Sequence, residues 1–346
     1  MDLSNIEEAK ARMTALYGEN HRITYGKYDK SLAVRCINGT FVGKKTDEKV
    51  IAFKGIPFVG KQPVGDLRWK APVDIVPDDG VYEAYYFAKC PRQEGNVSQL
   101  GSLYPQDEDC LYLNVWKADD GCTEKKPVMV WIHGGAFEIG GTAEPREECT
   151  NFVRENPDVI VVSIEYRMNV FGFFHLSHLP DGGDFPDAQN LGLLDQVMAL
   201  KWVHENIAAF GGDPEKVTIF GQSAGGKSYT YFFTPESSVP LMRSGHAIEL
   251  STVFNHPEET FVTGRLFDET FSKSMRRMWV QFAKTGNPSL TAQQSPDGKA
   301  KEWPLYDLEK KPVMIFDEFD IHAEKESERQ IVDWERTYFL TKYYCI

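Results

Sequence analysis

Short strand-like runs separated by turn residues mark the N-terminal part of the chain. Ser31–Cys36, Gly39–Gly43 and Val50–Gly55 are rich in β-branched, aromatic and other apolar residues, a composition that favours strands. Asn38 and the polar segment Lys44–Lys49 separate these runs, as is typical of turns. The pattern predicts an N-terminal antiparallel β-section.

Farther along the chain, continuous apolar runs alternate with a helical pattern. Pro127–Ile132 (PVMVWI) and Asp158–Tyr166 (DVIVVSIEY) are nearly all apolar or β-branched, as in strands that are covered on both faces. Leu191–Phe210 has apolar residues at helical spacing and ends at Gly211 and Gly212, which favours a helix that stops there. This alternation predicts right-handed crossovers in a mostly parallel sheet flanked by helices.

One further strand-like run leads into a candidate nucleophile. The segment KVTIFGQSAGG, Lys216 to Gly226, places Ser223 in the pattern Gly-x-Ser-x-Gly. A serine hydroxyl is a weak nucleophile, and hydrolases hold it exposed on a tight turn between a strand and a helix, where glycines avoid steric clashes. The segment predicts a nucleophile elbow.

A second candidate element follows the strand Pro127–Ile132 directly. His133-Gly134-Gly135-Ala136-Phe137 is a small-residue loop whose backbone can approach a substrate closely. When an ester carbonyl is attacked, its oxygen becomes negative, and each amide aimed at it contributes about 3 to 4 kcal/mol to lowering the barrier. The predicted oxyanion donors are the backbone amides of Gly135, Ala136 and, from the elbow, Ala224.

Several longer motifs resemble one family. They are, in chain order, GIPFVGKQPVGDLRW (Gly55–Trp69), EDCLYLNVW (Glu108–Trp116), EYRMNVFGFF (Glu165–Phe174), the stretch Asn190–Gly226, SGHAIELSTVFNHPEET (Ser244–Thr260), FAKTGNPSL (Phe282–Leu290) and EWPLYD (Glu302–Asp307). Together they resemble the type-B carboxylesterase and cholinesterase-like family of α/β-hydrolases. The resemblance implies a single α/β-hydrolase domain over residues 1–346 that hydrolyses small carboxylic esters. Gln222 stands where the family's elbow usually has Glu.

The resemblance also implies that an internal segment is absent. In the family a helix follows the nucleophile, and the catalytic acid and histidine come later in that order. Here the elbow runs into Tyr229–Phe233, which has strand rather than helix character, and His246 follows Ser223 by only 23 residues. The predicted junction lies near Gly226 and Lys227, so that part of the C-terminal half is missing.

By resemblance, Ser223 attacks the ester carbonyl and His246 carries the proton, with an acyl-enzyme as intermediate. No position matches the family's triad acid. Glu236 and Glu249 are weak candidates for it, and His256, beside Asn255 and Pro257, is a weaker candidate than His246 for the base. Loss of an orienting acid can lower turnover by about four orders of magnitude.

The composition indicates which classes of binding partner and which cellular location to expect for the protein. The 346 residues carry a formal net charge of −13 without a block of Lys and Arg, which argues against nucleic acid or an anionic membrane as a partner. The first residues are polar and charged, so we expect a cytoplasmic protein. The cysteines and histidines lack metal-ligand spacing, and neither a metal nor a cofactor is predicted.

Cys90 and Cys110 occupy positions that resemble a disulfide pair of secreted family members. Because the sequence begins without a recognisable secretion signal, we expect two free thiols there.

Two other functions remain open at this point. GQSAGGKS, Gly221 to Ser228, satisfies the phosphate-binding pattern G-x-x-x-x-G-K-[ST] after a strand, with Lys227 and Ser228 as phosphate and magnesium ligands. A catalytically impaired relative that serves as a binding scaffold is the stronger alternative, because the acid has no matched position. Loss of an internal segment also predicts exposed apolar surface and self-association.

Overall fold

The structure is a computed structural model and describes residues 15–26, 28–92, 105–176, 179–225, 231–233, 235, 237–238, 248–260, 263–305 and 312–325. The chain divides into two compact units, which are described separately below. The first comprises Met1–Lys227 with Val253–Phe261, and the second comprises Ser228–Thr252 with Val262–Ile346. The sequence-based expectation of one domain stays a prediction.

The N-terminal β-section of the first unit is a three-stranded sheet in the order β1-β2-β5. Its strands are β1 (Ala33–Cys36), β2 (Gly39–Val42) and β5 (Val81–Glu83). The first two pair in antiparallel fashion, as the turn-separated runs predict, whereas β5 adds in parallel to β2. A two-stranded parallel ladder, β6 (Cys90–Pro91) with β7 (Gln106–Asp107), lies nearby in sequence.

A six-stranded sheet in the order β11-β9-β10-β8-β4-β3 forms the centre of the first unit. Its strands are β3 (Lys44–Asp47), β4 (Val50–Pro57), β8 (Tyr112–Ala118), β9 (Lys126–Ile132), β10 (Ile160–Ile164) and β11 (Gly212–Gly221). Strand β9 pairs in parallel with both β10 and β11. The other three pairings are antiparallel. The predicted parallel pairing is therefore found in the three strands that lead to the candidate site, and the described sheet as a whole is mixed.

Three helices of the first unit are α1 (Thr150–Glu155), α2 (Asn169–Gly172) and α3 (Leu191–Asn206). Helix α3 continues as a 3-10 turn, Ile207–Phe210, which ends where Gly211 adopts a left-handed conformation with φ +91°. The helix and its glycine stop agree with the sequence pattern. The core of the unit joins side chains of the central sheet to Trp202, Val203 and Phe210.

The second unit contains a separate three-stranded sheet in the order β12-β13-β14. Its strands are β12 (Tyr231–Phe233), β13 (Pro312–Phe316) and β14 (Ile321–Lys325). The strand expected over Tyr229–Phe233 is thus found in its described part. The short helix α4 (Leu250–Val253) belongs to the second unit as far as Thr252, and its last residue belongs to the first. Helix α5 (Glu269–Thr285) is amphipathic, with Asp268 capping its N-terminus through the amide of Phe271 and Gly286 closing its C-terminus.

Candidate functional site

Ser223 sits at the end of the outermost parallel strand of the described sheet. Strand β11 ends at Gly221, and Ser223–Gly225 forms a 3-10 turn immediately after it. The backbone of Ser223 has φ +53°, a left-handed conformation that costs a non-glycine residue about 1 to 3 kcal/mol and is concentrated at functional sites. The side chain is exposed. A strained serine presented to solvent at a strand end has the geometry of a nucleophile elbow.

Close packing explains the glycines of this turn. A Cβ atom on Gly225 would lie 2.1 Å from the carbonyl oxygen of Ile132, and one on Gly221 would lie 2.2 Å from the carbonyl oxygen of Gly225. A Cβ atom on Gly134 would lie 2.0 Å from Oε1 of Gln222. Only glycine fits at these separations. The elbow therefore packs directly on the end of β9 and on the loop that follows it.

That loop, His133–Phe137, has an unusual backbone. Gly135, Ala136 and Phe137 have φ values of +114°, +57° and +62° in succession. The carbonyl oxygen of Gly135 accepts hydrogen bonds from the amides of Glu138 and Ile139 at 2.9 and 3.0 Å. Successive backbone amides in a turn can form a concave site that binds anions. The position of the loop next to Ser223 suits an oxyanion-stabilising loop.

His133 is 1 % exposed and is held on three sides. Its ring stacks on Tyr166 at 4.5 Å between centroids, and Nδ1 lies 2.8 Å from the carbonyl oxygen of Gly134. Nε2 lies 3.4 Å from Oε2 of Glu165. Burial by itself lowers the pKa of His133, but the neighbouring Glu165 outweighs it, and the pKa is raised above the usual value.

Glu165 is anchored on its other oxygen. Oε1 accepts hydrogen bonds from the amide and the hydroxyl of Thr142 at 2.7 and 2.8 Å. Oε2 of Glu165, Nε2 of His133 and the hydroxyl of Tyr17 are buried without a hydrogen-bond partner in the structure. These polar atoms form a buried layer behind the loop that carries the candidate oxyanion donors.

The structure describes only some of the residues predicted for the site. Ser223, Gly135, Ala136 and Ala224 belong to the described part, where the elbow and the loop after β9 are brought together. His246 and Glu236 lie outside the described residues, as does the predicted junction at Gly226 and Lys227. Their predicted roles stay predictions.

The other candidates are described. Glu249 is half-buried in the second unit, and its carbonyl oxygen accepts a hydrogen bond from the amide of Thr252 at 2.9 Å. His256 is 7 % exposed in the first unit, with Nε2 2.6 Å from the carbonyl oxygen of Glu148 and Nδ1 2.9 Å from the carboxylate of Glu258. Both ring nitrogens of His256 are thus engaged by groups of the first unit, and its standing as a weaker candidate for the base stays a prediction.

The first unit also contains a buried ion pair, between Arg167 and Asp195, that no single sequence motif predicts. Arg167 donates through Nε and Nη2 to the two carboxylate oxygens of Asp195 at 2.8 and 2.7 Å, and its amide donates to Asp195 at 3.0 Å. The pair joins the chain after β10 to helix α3, and Asp195 is fully buried. The sequence signal for this pair is that each of the two opposite charges stands inside an otherwise apolar pattern, since a buried charge needs a partner.

A second set of buried charges, in the segment Glu144–Glu148, contacts side chains of β9 and β4. Trp131 Nε1 donates to Glu147 at 2.7 Å, and Lys54 Nζ donates to Glu148 at 3.0 Å. Burial and the nearby charge of Glu144 raise the pKa of Glu147 to about 7. Burial opposes ionisation of Glu148 too, but Lys54 and the amide of Thr150 lower its pKa to about 2.

In the described part of the chain, no three His, Cys, Asp or Glu side chains are arranged to hold a metal ion. Within that same part, no helix is both long and apolar enough to cross a bilayer. Cys90 and Cys110 are buried thiols in the structure.

The Carboxylesterase family model matches the chain over residues 30–244 and 227–332. Among curated proteins, the chain is 44 % identical over 210 residues to a para-nitrobenzyl esterase of Bacillus subtilis (strain 168). The aligned region covers 60 % of this chain and 39 % of that protein. It is 39 % identical over 249 residues to a juvenile hormone esterase of Tribolium castaneum, and this aligned region covers 68 % of this chain and 38 % of that protein. The chain thus spans about two fifths of the length of these relatives.

Solved structures give the same fold. A carboxylesterase of Geobacillus stearothermophilus at pH 6.2 superposes with a TM-score of 0.72 at 24 % identity, covering 88 % of this chain and 100 % of that chain. A structure of a PNB esterase superposes with a TM-score of 0.74 at 24 % identity, covering 87 % and 98 %. At this identity the likeness concerns the fold, which is the α/β-hydrolase fold expected from the sequence, in shortened form.

Proposed function

The chain belongs to the carboxylesterase family, and from that premise we propose that it hydrolyses carboxylic esters of small molecules with Ser223 as the nucleophile. The observation that carries the proposal is Ser223 itself. It is exposed, its backbone has φ +53°, and its turn packs against the loop after β9 at distances that only glycine allows.

The proposed reaction proceeds through an acyl-enzyme. Ser223 Oγ attacks the ester carbonyl while His246 takes its proton, and the amides of Gly135, Ala136 and Ala224 stabilise the tetrahedral oxyanion. The leaving alcohol receives the proton from His246, and water then hydrolyses the acyl-enzyme by the same route. The left-handed run Gly135–Phe137 supports this assignment of the donors.

The identity of the acid remains a separate proposal. The two matches to the family model overlap between residues 227 and 244, an overlap that begins beside the junction predicted near Gly226 and Lys227. A loss of the acid with the absent segment would leave Ser223 and His246 as a dyad with slow turnover. Glu236 and Glu249 are the candidates for an orienting role. A cytoplasmic location also stays a proposal of the sequence. The comparisons lend no support to the nucleotide-binding alternative.

The test is labelling and turnover by the purified chain. A fluorophosphonate should label the wild type stoichiometrically, and p-nitrophenyl acetate and butyrate should be hydrolysed. Ser223→Ala should lose both the labelling and the turnover, and His246→Ala should lower both. Ser237→Ala, the same change at a serine outside the elbow, is the matched control and should behave as the wild type.

Two outcomes would overturn the proposal. One is absence of labelling in a folded wild-type chain, and the other is turnover that does not change in Ser223→Ala. Either result would favour a catalytically impaired member of the family. If Ser223 is active, the same assays on Glu236→Gln and Glu249→Gln identify the orienting acid by the larger fall in turnover.

A further inference from the structure

The buried layer behind the loop after β9 contains an arrangement of donors and acceptors that fixes a proton. A carbonyl oxygen can only accept, so His133 Nδ1, 2.8 Å from the carbonyl oxygen of Gly134, must carry a hydrogen. The other ring nitrogen, Nε2, lies 3.4 Å from Oε2 of Glu165. A neutral imidazole with its hydrogen on Nδ1 would face a carboxylate there with a lone pair, which is repulsive.

The surroundings decide where the second proton resides. Oε1 of Glu165 already accepts two hydrogen bonds from Thr142, so Oε2 is the carboxylate oxygen that faces Nε2 of His133. The remaining groups near His133 are the Tyr166 ring stacked on it and the more distant carboxyl of Glu147. Tyr17, beside Glu165, presents a neutral buried hydroxyl. A protonated ring is the arrangement in which Nδ1 donates to the carbonyl oxygen of Gly134 while the positive ring faces Oε2 of Glu165 as an ion pair at 3.4 Å.

The protonated ring acts on one particular peptide group. The carbonyl of Gly134 and the amide of Gly135 belong to the same peptide unit, so a donor at the carbonyl oxygen polarises the amide on the other side. Hydrogen bonds from charged donors are about twice as strong as neutral ones, and chains of such bonds strengthen one another by about 10 to 30 %. The Gly135 amide is one of the proposed oxyanion donors.

We infer that His133 is a buried imidazolium, paired with Glu165, which positions the oxyanion loop and strengthens the Gly135 amide as a donor from behind. His133 touches no substrate in this assignment and is a positioning residue. The catalytic consequence rests on the proposed esterase function, whereas the charge state of His133 does not.

The first test reads the charge state by nitrogen-15 NMR of histidine-labelled, folded chain at pH 7. The His133 signals are identified by their loss in His133→Asn, with His204→Asn, on the exposed face of α3, as the matched control. Both ring nitrogens of His133 should be protonated. The Gly135 amide nitrogen should shift upfield in His133→Asn, which keeps a neutral donor in place of Nδ1, and in Glu165→Gln, which removes the counterion.

The second test measures rates in the same variants. The rate of phosphonylation of Ser223 and the kcat for p-nitrophenyl acetate should fall about tenfold in His133→Asn, with KM changed less than about twofold, since only one oxyanion donor is weakened and none is removed. In the wild type, the phosphonylation rate should fall at alkaline pH, because the imidazolium loses its proton there. In His133→Asn, this fall should be absent.

A single protonated ring nitrogen in the wild type at pH 7 would overturn the inference, and so would a Gly135 signal that ignores both substitutions. If Ser223 proves unreactive, the proposed function fails, but the two NMR readings still decide the inference. If Ser223 reacts and His133→Asn leaves kcat unchanged, the role of His133 in positioning the loop is overturned.

Discussion

At the scale of single residues, the candidate site depends on glycines whose missing side chains let two loops touch. Gly225 faces the carbonyl oxygen of Ile132, and Gly134 faces Gln222. A pattern such as Gly-x-Ser-x-Gly shows that small residues are needed, but it does not identify what they approach. The structure identifies the partner of the elbow as the end of β9.

The substitution Gly225→Ala should both destabilise the first unit and displace Ser223. Its Cβ would lie 2.1 Å from a backbone carbonyl oxygen, so the backbone must move, and we expect a loss of about 2 to 4 kcal/mol in the free energy of unfolding. Urea unfolding followed by circular dichroism measures the loss, and fluorophosphonate labelling measures the displacement. Gly183→Ala, where a Cβ would meet nothing within 4 Å, is the control and should change stability by less than about 0.5 kcal/mol. Equal stability of both variants would refute the close approach.

Also at the residue scale, Glu147 should make stability depend on pH. Its pKa of about 7 in the folded chain lies above the value of 4.5 for an unperturbed glutamate. A raised folded pKa means that the carboxyl contributes stability below pH 4.5, and that this contribution is lost as the pH rises to 7. The sign follows from linkage, because the folded chain holds the proton of this carboxyl more tightly than the unfolded chain does.

The substitution Glu147→Gln should remove that contribution. The difference in unfolding free energy between wild type and variant, measured in urea at several pH values, should change between pH 4.5 and 7 and be level above about pH 8. Taking the difference cancels the titration of His256, whose pKa is also raised, whereas His133 interacts with Glu147 and contributes to the same transition. Trp131 donates to Glu147, and its fluorescence should follow the same transition. A constant difference across this range would contradict the prediction.

At the scale of elements, the Arg167–Asp195 pair fixes helix α3 to the chain that leaves β10. Removing one partner of a buried pair leaves an uncompensated charge and typically costs about 3 to 5 kcal/mol. Asp195→Ala should therefore destabilise the first unit by that amount in urea unfolding. The double variant Arg167→Met with Asp195→Leu should recover most of the loss, because no buried charge remains. As the control, Asp74→Ala breaks an exposed pair with Lys201 and should lower the free energy of unfolding by less than about 1 kcal/mol. A similar loss in Asp195→Ala and Asp74→Ala would argue against a special role of the buried pair.

The elements also show what the sequence could predict. Strands β9 and β10 and helix α3 have long, strongly patterned apolar runs, and the structure places them within about two residues of the prediction apart from the 3-10 end of α3. Helix α5 carries a clear signal as well, an Asp cap and a glycine stop around an amphipathic segment.

The features that the sequence could not reveal depend on distant partners. Ala136 and Phe137 adopt left-handed conformations that neither residue favours by itself. His133 meets Glu165 across two parallel strands, so only the register of β9 with β10 brings them together. The motif at His133–Phe137 therefore predicts an oxyanion loop, but not the buried charges behind it.

At the scale of the whole molecule, the outermost described strand of the first unit's sheet exposes an apolar side chain. Strand β11 is its outermost described strand, and Ile219 on it is 50 % exposed. On the neighbouring helix α3, Val197 is 61 % exposed. An edge strand with apolar side chains offers unpaired backbone groups to a second chain, and natural proteins usually protect such edges with charge.

The chain should accordingly self-associate and bind the hydrophobic dye ANS. Ile219→Lys places a charge on the edge and should lower the mass measured by light scattering as well as the ANS signal, whereas Val76→Lys, at a 63 % exposed position outside the strands, should change neither. Since Ile219 lies four residues before Ser223, on the strand that leads into the elbow, fluorophosphonate labelling of Ile219→Lys separates the role of the edge from that of the elbow. Labelling that persists in a smaller species would assign self-association to the edge and reactivity to the elbow. A wild-type monomer that does not bind ANS would show that the edge is protected in solution.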